Sequence, residues 1–157
     1  MRSLVAKSIL SDCIHYAAPL YAYVVMPHHV HFVVQAPVGR TVSWLVQRIK
    51  TNSSKIIAPQ LTPSELAELS DQTQLNNRQV WMRSFRGLAI PDKSMLDQKT
   101  DYVRDNPVKL ELCESAVEYL WSSVRASIDG AWDESSGLAL ACVRELERTL
   151  HTMSVEG

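Results

Sequence analysis

Apolar and polar positions alternate along this chain with two periods, one helical and one of strands. Residues 4–17 (LVAKSILSDCIHYA) set Val5, Ile9, Leu10 and Cys13 close to helical spacing. Residues 20–26 (LYAYVVM) and 30–36 (VHFVVQA) are rich in Val, Tyr and Phe, as strands are. The short breaker Pro27-His28-His29 between them predicts a β-hairpin. Residues 41–57 bring Val42, Leu45, Val46 and Ile49 onto one helical face, while Arg48, Lys50 and Lys55 fall largely off it. Thr62-Pro63-Ser64-Glu65 is a helix start: a hydroxyl cap, a proline in the first turn and a glutamate three residues on. The polar stretch Asp71–Gln79 predicts a loop, and residues 80–90 (VWMRSFRGLAI) a further strand region broken at Gly87. Residues 94–106 predict a helix stopped by Pro107. A turn follows near Asp129-Gly130, then a last amphipathic helix over about 138–150 with Leu138, Cys142, Leu146 and Leu150. Paired strands and helices without regular β-α-β alternation predict an α+β domain, an antiparallel sheet flanked by helices.

Composition narrows this picture. At 157 residues and 46% hydrophobic, the chain fits one globular domain with a real core. No apolar run approaches the ~18 residues of a membrane span, so no membrane partner is expected. The N-terminal stretch carries Lys7, Asp12 and His15 and lacks the compact apolar core of a secretory signal. Cys13, Cys113 and Cys142 are scattered, and no CxxC occurs, so neither a disulfide framework nor a four-thiolate zinc site is readable. A reducing, cytoplasmic setting is the simplest inference. Net charge is −1, but it is unevenly spread. Residues 1–60 hold six basic side chains against Asp12 alone, and the remainder is acidic overall. That asymmetry is compatible with a nucleic-acid face.

Two short motifs carry chemistry. In Pro27-His28-His29-Val30-His31, side chains at i and i+2 of a strand share a face, so His29 and His31 project together about 6–7 Å apart. Two such imidazoles can converge on one divalent metal ion or simply sit near a turn. In Tyr102-Val103-Arg104-Asp105-Asn106-Pro107, Tyr102 and Asn106 stand at i and i+4, on one helical face. Spacing alone also fits a core aromatic and a helix cap. A histidine-triad hydrolase would need a third alternating histidine, and position 33 is valine.

Four segments occur in order: Tyr23-Val24-Val25-Met26-Pro27-His28-His29-Val30-His31, Trp81-Met82-Arg83-Ser84-Phe85, Tyr102-Val103-Arg104-Asp105-Asn106-Pro107-Val108 and Trp121-Ser122-Ser123. Together they resemble the signatures of REP-associated tyrosine transposases, which are single-tyrosine HUH transposases of the insertion-sequence type. The resemblance covers about residues 4–128, and it implies an HUH endonuclease fold with a ferredoxin- or RRM-like palm. It divides the chain into a transposase domain, 1–130, and a C-terminal helix and tail, 131–157.

The activity implied is a metal-dependent single-stranded DNA endonuclease and strand transferase working through a 5′-phosphotyrosine on hairpin-containing DNA. The alternative is a catalytically inactive single-stranded DNA-binding relic of the same family. Tyr102 would be the nucleophile, and His29, His31 and Asn106 the metal ligands, with Mg²⁺ or Mn²⁺ as cofactor. Lys50 matches a basic family position and would contact the DNA backbone. Arg48, Lys55, Arg83 and Arg86 are further candidates for phosphate contacts, and Trp44, Trp81 and Phe85 for base stacking. The family includes monomers as well as homodimers that exchange tyrosines, so both states stay open.

The chain also departs from the family pattern. Met1 opens almost at the first helix, where relatives have a strand, so a sheet lacking its usual first strand is expected. His28 stands where asparagine is usual, Arg86-Gly87-Leu88 replaces a more polar stretch, and Leu110-Glu111 replaces a small residue and glycine.

Overall fold

The computed structural model describes residues 1–73 and 80–126, without the side chains of 69–73 and 126. The order of elements is α1 (Arg2–His15), β1 (Leu20–Val25), β2 (Val30–Val34), α2 (Val42–Ile57), α3 (Pro63–Thr73), α4 (Lys93–Lys109) and α5 (Ser123–Ala126). The predicted α+β class is what the structure holds: an antiparallel sheet, two-stranded among the described residues, with helices around it.

The hairpin is the centre. β1 and β2 pair in a register that sets Tyr23 opposite Phe32 and Val24 opposite His31. Alternation then sorts the side chains into two layers. Tyr23 and Val25 join Val5, Ile9, Leu10 and Cys13 of α1 and Leu45, Ile49 and Ile57 of α2 in one buried cluster. Ala22, Val24, Met26 and Val33 join Val103 of α4 and Tyr119 in another. The hairpin thus carries a core on each face.

The Trp121-Ser122-Ser123 motif lies along the free edge of β1. Val25 N–H donates to the Trp121 carbonyl at 2.9 Å, Val24 and Ser122 form an isolated bridge, and Tyr23 N–H donates to Ser123 Oγ at 3.2 Å. Tyr119 donates its hydroxyl to the Val25 carbonyl at 2.9 Å. Trp121 donates its indole N–H to Ser3 Oγ at 3.1 Å and lies under the Arg2 guanidinium at 3.8 Å. These contacts fasten the start of α1 to the run after α4, supplying the edge of β1 with partners that a bare strand would lack.

Local signals explain most boundaries. The Thr41 hydroxyl accepts from Trp44 N–H at 3.1 Å and starts α2. Gly39, at φ +71°, serves the tight turn in which Arg40 N–H donates to the Pro37 carbonyl. The Thr62–Glu65 capping box forms as its sequence predicts, with bonds of 2.8 and 3.3 Å between the two residues.

Four expectations are corrected. α3 runs on to Thr73, so residues 71–73 of the predicted loop are helical, and 74–79 lie outside the described residues. Val42 is exposed, and the buried stripe of α2 is Leu45, Val46, Ile49, Ser53 and Ile57. Pro107 does not stop α4, which continues to Lys109. A proline removes only its own N–H bond, to Val103, and within a turn of the helix end that loss is small. Finally, residues 80–90 form no strand but an irregular, exposed run. The carbonyls of Met82, Arg83 and Ser84 all turn to one lysine. In a strand, successive carbonyls would alternate in direction. The turn predicted at Asp129-Gly130, the helix over 138–150 and the tail 131–157 lie outside the described residues.

Candidate active site

Pairing with Val24 turns His31 toward the α4 face of the hairpin, and His29, two residues earlier, follows it. The His29 and His31 ring centroids are 4.7 Å apart, nearly perpendicular. The ring of Tyr102, on α4, stands 5.7 Å from that of His31. Buried Val103 fixes α4 against the sheet, while Tyr102 beside it remains 44% exposed, so the phenol borders both the imidazoles and solvent. Burial, and secondarily the neighbouring His29, lowers the pKa of His31. The neutral imidazole with a free lone pair is therefore the favoured form. His28 is exposed on the loop.

Asn106 lies one turn beyond Tyr102 and is only 5% exposed. Its Oδ1 is buried without a hydrogen-bond partner among the described residues. A buried carbonyl oxygen left without a donor costs about 1–3 kcal/mol and invites a ligand. Among the described residues no three His, Cys, Asp or Glu side chains gather. A divalent cation held here would need two imidazole nitrogens and a carboxamide oxygen, a donor set that suits Mg²⁺ or Mn²⁺. His29, His31 and Asn106 fit that demand in chemistry. Sequence reading missed Lys109, whose Nζ lies 5.2 Å from the Tyr102 ring centroid. Its spacing of seven residues, two helical turns, was the available signal.

The basic candidates separate. Arg48, Lys50 and Lys55 ride on α2, which packs on the opposite face of the hairpin from α4. Arg48 and Arg40 lie 5.5 and 4.9 Å from the centre of the Trp44 ring, which meets Tyr16 edge to face. Lys55 is exposed. The Lys50 ammonium does not extend into solvent. It donates to the carbonyls of Met82, Arg83 and Ser84 at 2.8, 3.4 and 2.9 Å. Desolvation lowers its pKa. Trp81 donates its indole N–H to the buried Ser53 Oγ at 2.8 Å, so it is tied to α2. Arg83 and Arg86 are exposed, and Phe85 between them is 43% exposed.

The family model described as "Transposase IS200 like" matches residues 1–106, a span that includes His29, His31, Tyr102 and Asn106. The chain belongs to the IS200-like transposase family. No curated protein and no solved structure matches it. Membership makes this transposase a protein of DNA processing, with DNA as its partner. Among the described residues, no helix of the transposase is long and apolar enough to cross a membrane.

Proposed function

We propose that this transposase nicks and rejoins single-stranded, hairpin-containing DNA through a 5′-phosphotyrosine at Tyr102, with His29, His31 and Asn106 holding Mg²⁺ or Mn²⁺. The observation that carries the reading is the meeting of His29, His31 and Tyr102: the two imidazoles are 4.7 Å apart, and the Tyr102 ring, 71 residues after His31, stands 5.7 Å from it. When bound, the cation would supply stabilisation of the charge gathering on the non-bridging phosphate oxygens.

The remaining work falls to the chain. The Tyr102 oxygen forms a bond to phosphorus as the bond to the 3′ oxygen breaks. The phenolic proton passes to water, and the leaving 3′ oxygen gains one. Because the phosphotyrosine is still an ester, a free 3′-hydroxyl can reverse the step and rejoin strands without a nucleotide cofactor. Half-exposure lets Tyr102 reach a strand outside the core. Lys109 sets a cation beside the ring, where the phosphate would bring negative charge. Arg83 and Arg86 with Phe85 present the mix of charge and aromatic surface that single strands bind, and Arg48 beside Trp44 repeats it on the other layer.

The test uses a labelled single-stranded hairpin oligonucleotide with Mg²⁺ or Mn²⁺. The expected result is a covalent protein–DNA adduct that vanishes with Tyr102→Phe and with a chelator, while the variant's DNA affinity stays within about threefold, because the hydroxyl serves mainly the chemical step. Tight binding with no adduct from the parent protein would instead mark a binding-only relic.

A further inference from the structure

We infer that Lys50 is a positioning residue that hangs the Trp81–Arg86 segment on α2, rather than a contact to the DNA backbone. Three successive carbonyls converge on its ammonium at 2.8, 3.4 and 2.9 Å, matching its three N–H donors. One turn further along α2, Ser53 Oγ accepts from the Trp81 indole at 2.8 Å while donating to the Ile49 carbonyl. The segment is thus held at two points by residues at i and i+3 of one helix. The Lys50 Nζ also lies 5.9 Å from the Phe85 ring centroid. Gly87 also lies against that ring, where a Cβ would come within 3.1 Å of Phe85 Cε2.

What the clasp leaves outside is the surface that meets solvent: Arg83, Arg86, half of Phe85 and the 63%-exposed Met82. Among the described residues no strand pairs with this run, so the two anchors, with the packing of Val80, Trp81 and Ile90 at its ends, hold its shape. Lys50 also differs from a phosphate contact in what it tolerates. A phosphate accepts arginine as readily as lysine. Three carbonyls converging on one point accept a compact ammonium, whereas a planar guanidinium spreads its donors into a fork. The site therefore distinguishes two residues that a DNA backbone would not.

The experiment compares the full chain with Lys50→Arg, Lys50→Met and Ser53→Ala. Cleavage by an arginine-specific protease is followed by mass spectrometry after Arg83 and Arg86 only. Affinity for a fluorescent single-stranded oligonucleotide is measured between 50 and 200 mM salt. Both Lys50 variants should be cut at least tenfold faster at those two sites and bind about tenfold more weakly, with helical circular dichroism unchanged. Ser53→Ala should fall between them and the parent. Two results would overturn the inference: unchanged protection in both Lys50 variants, or parent-like affinity for Lys50→Arg while Lys50→Met loses ~0.7 from the salt slope, the mark of one phosphate contact. The DNA arm rests on the proposed function, and the protease arm does not. A parent protein that binds no oligonucleotide would defeat that function and leave Lys50 to be decided by cleavage alone.

Discussion

Asp12 shows how one side chain can cost the molecule stability at neutral pH. It is buried on α1, where Oδ1 accepts from Asn52 Nδ2 at 2.8 Å across the α1–α2 contact. Among the described residues its Oδ2 has no partner, and neither has the buried Ser8 Oγ one turn earlier. Burial raises the Asp12 pKa, outweighing the Asn52 hydrogen bond and the charge of His15, which lower it. The folded carboxyl thus holds its proton above the ~3.9 of an unfolded aspartate. Its favourable contribution is complete below that value and is lost as pH rises through the folded pKa. Asp12→Asn keeps an acceptor for Asn52 and removes the charge. Its stability advantage over the parent should grow from near zero at pH 4 to about 1 kcal/mol at pH 7, measured by urea unfolding. A gap that does not vary with pH would refute the argument. Residues differ in how far sequence reveals such roles. That His29 accompanies His31, and Tyr102 accompanies Asn106, was legible because short spacings fix which side chains share a face, whereas the meeting of the two pairs was implied only by the family resemblance. Lys50 was not, since its target is a loop 32 residues away whose path local pattern does not encode. Nor was Asp12, one polar position in a helix read from its apolar spacing alone.

Helices α1 and α4 end alike, in a left-handed residue that is not glycine. After α1, Ala17 (φ +50°) donates to the Ile14 carbonyl and Ala18 to that of Cys13. After α4, Glu111 (φ +55°) donates to the Val108 carbonyl and Leu112 to that of Pro107. Both are Schellman caps, in which glycine is the favoured left-handed residue. A side chain there costs about 1–2 kcal/mol against glycine, partly offset by glycine's larger unfolded-state entropy. Glu111 adds a negative charge at a helix C-terminus, the unfavourable end. Ala17→Gly should therefore stabilise by about 0.5 kcal/mol and Glu111→Gly by about 1 kcal/mol, read as raised urea midpoints with unchanged slope. A loss of stability in both would show that the caps are not strained. At this scale the hairpin, α2 and the Thr62 cap were readable, since each depends on neighbours within a few residues. The end of α4 was misread because a proline counts as a breaker by itself, whereas the cap that ends the helix needs the φ of Glu111. The run 80–90 looked like a strand by composition, yet strands exist only with a partner edge.

Across the whole molecule, two cores share one thin sheet. Cys13 belongs to the α1–α2 core, and burial, then the nearby Asp12 charge, pushes its thiol up to about 12. A thiol so protonated and covered reacts only when the structure opens, so its alkylation rate reports opening of that core. With Cys113 and Cys142 replaced by serine, Cys13 becomes the sole probe. Leu45→Ala removes a fully buried side chain beside it and should cost about 3 kcal/mol, while Val103→Ala on the α4 side should cost about 2 kcal/mol. Tyr23 and Val25 face one core, and Ala22 and Val24 face the other from the same strand. Parting one core therefore loosens the strand on which the other packs. Both variants should accelerate Cys13 alkylation in proportion to their loss of stability, about tenfold for each 1.4 kcal/mol. If Leu45→Ala alone speeds the reaction, the α4 layer opens independently of the core beneath it. The site that joins His31 on the sheet to Tyr102 on α4 would then come apart without global unfolding.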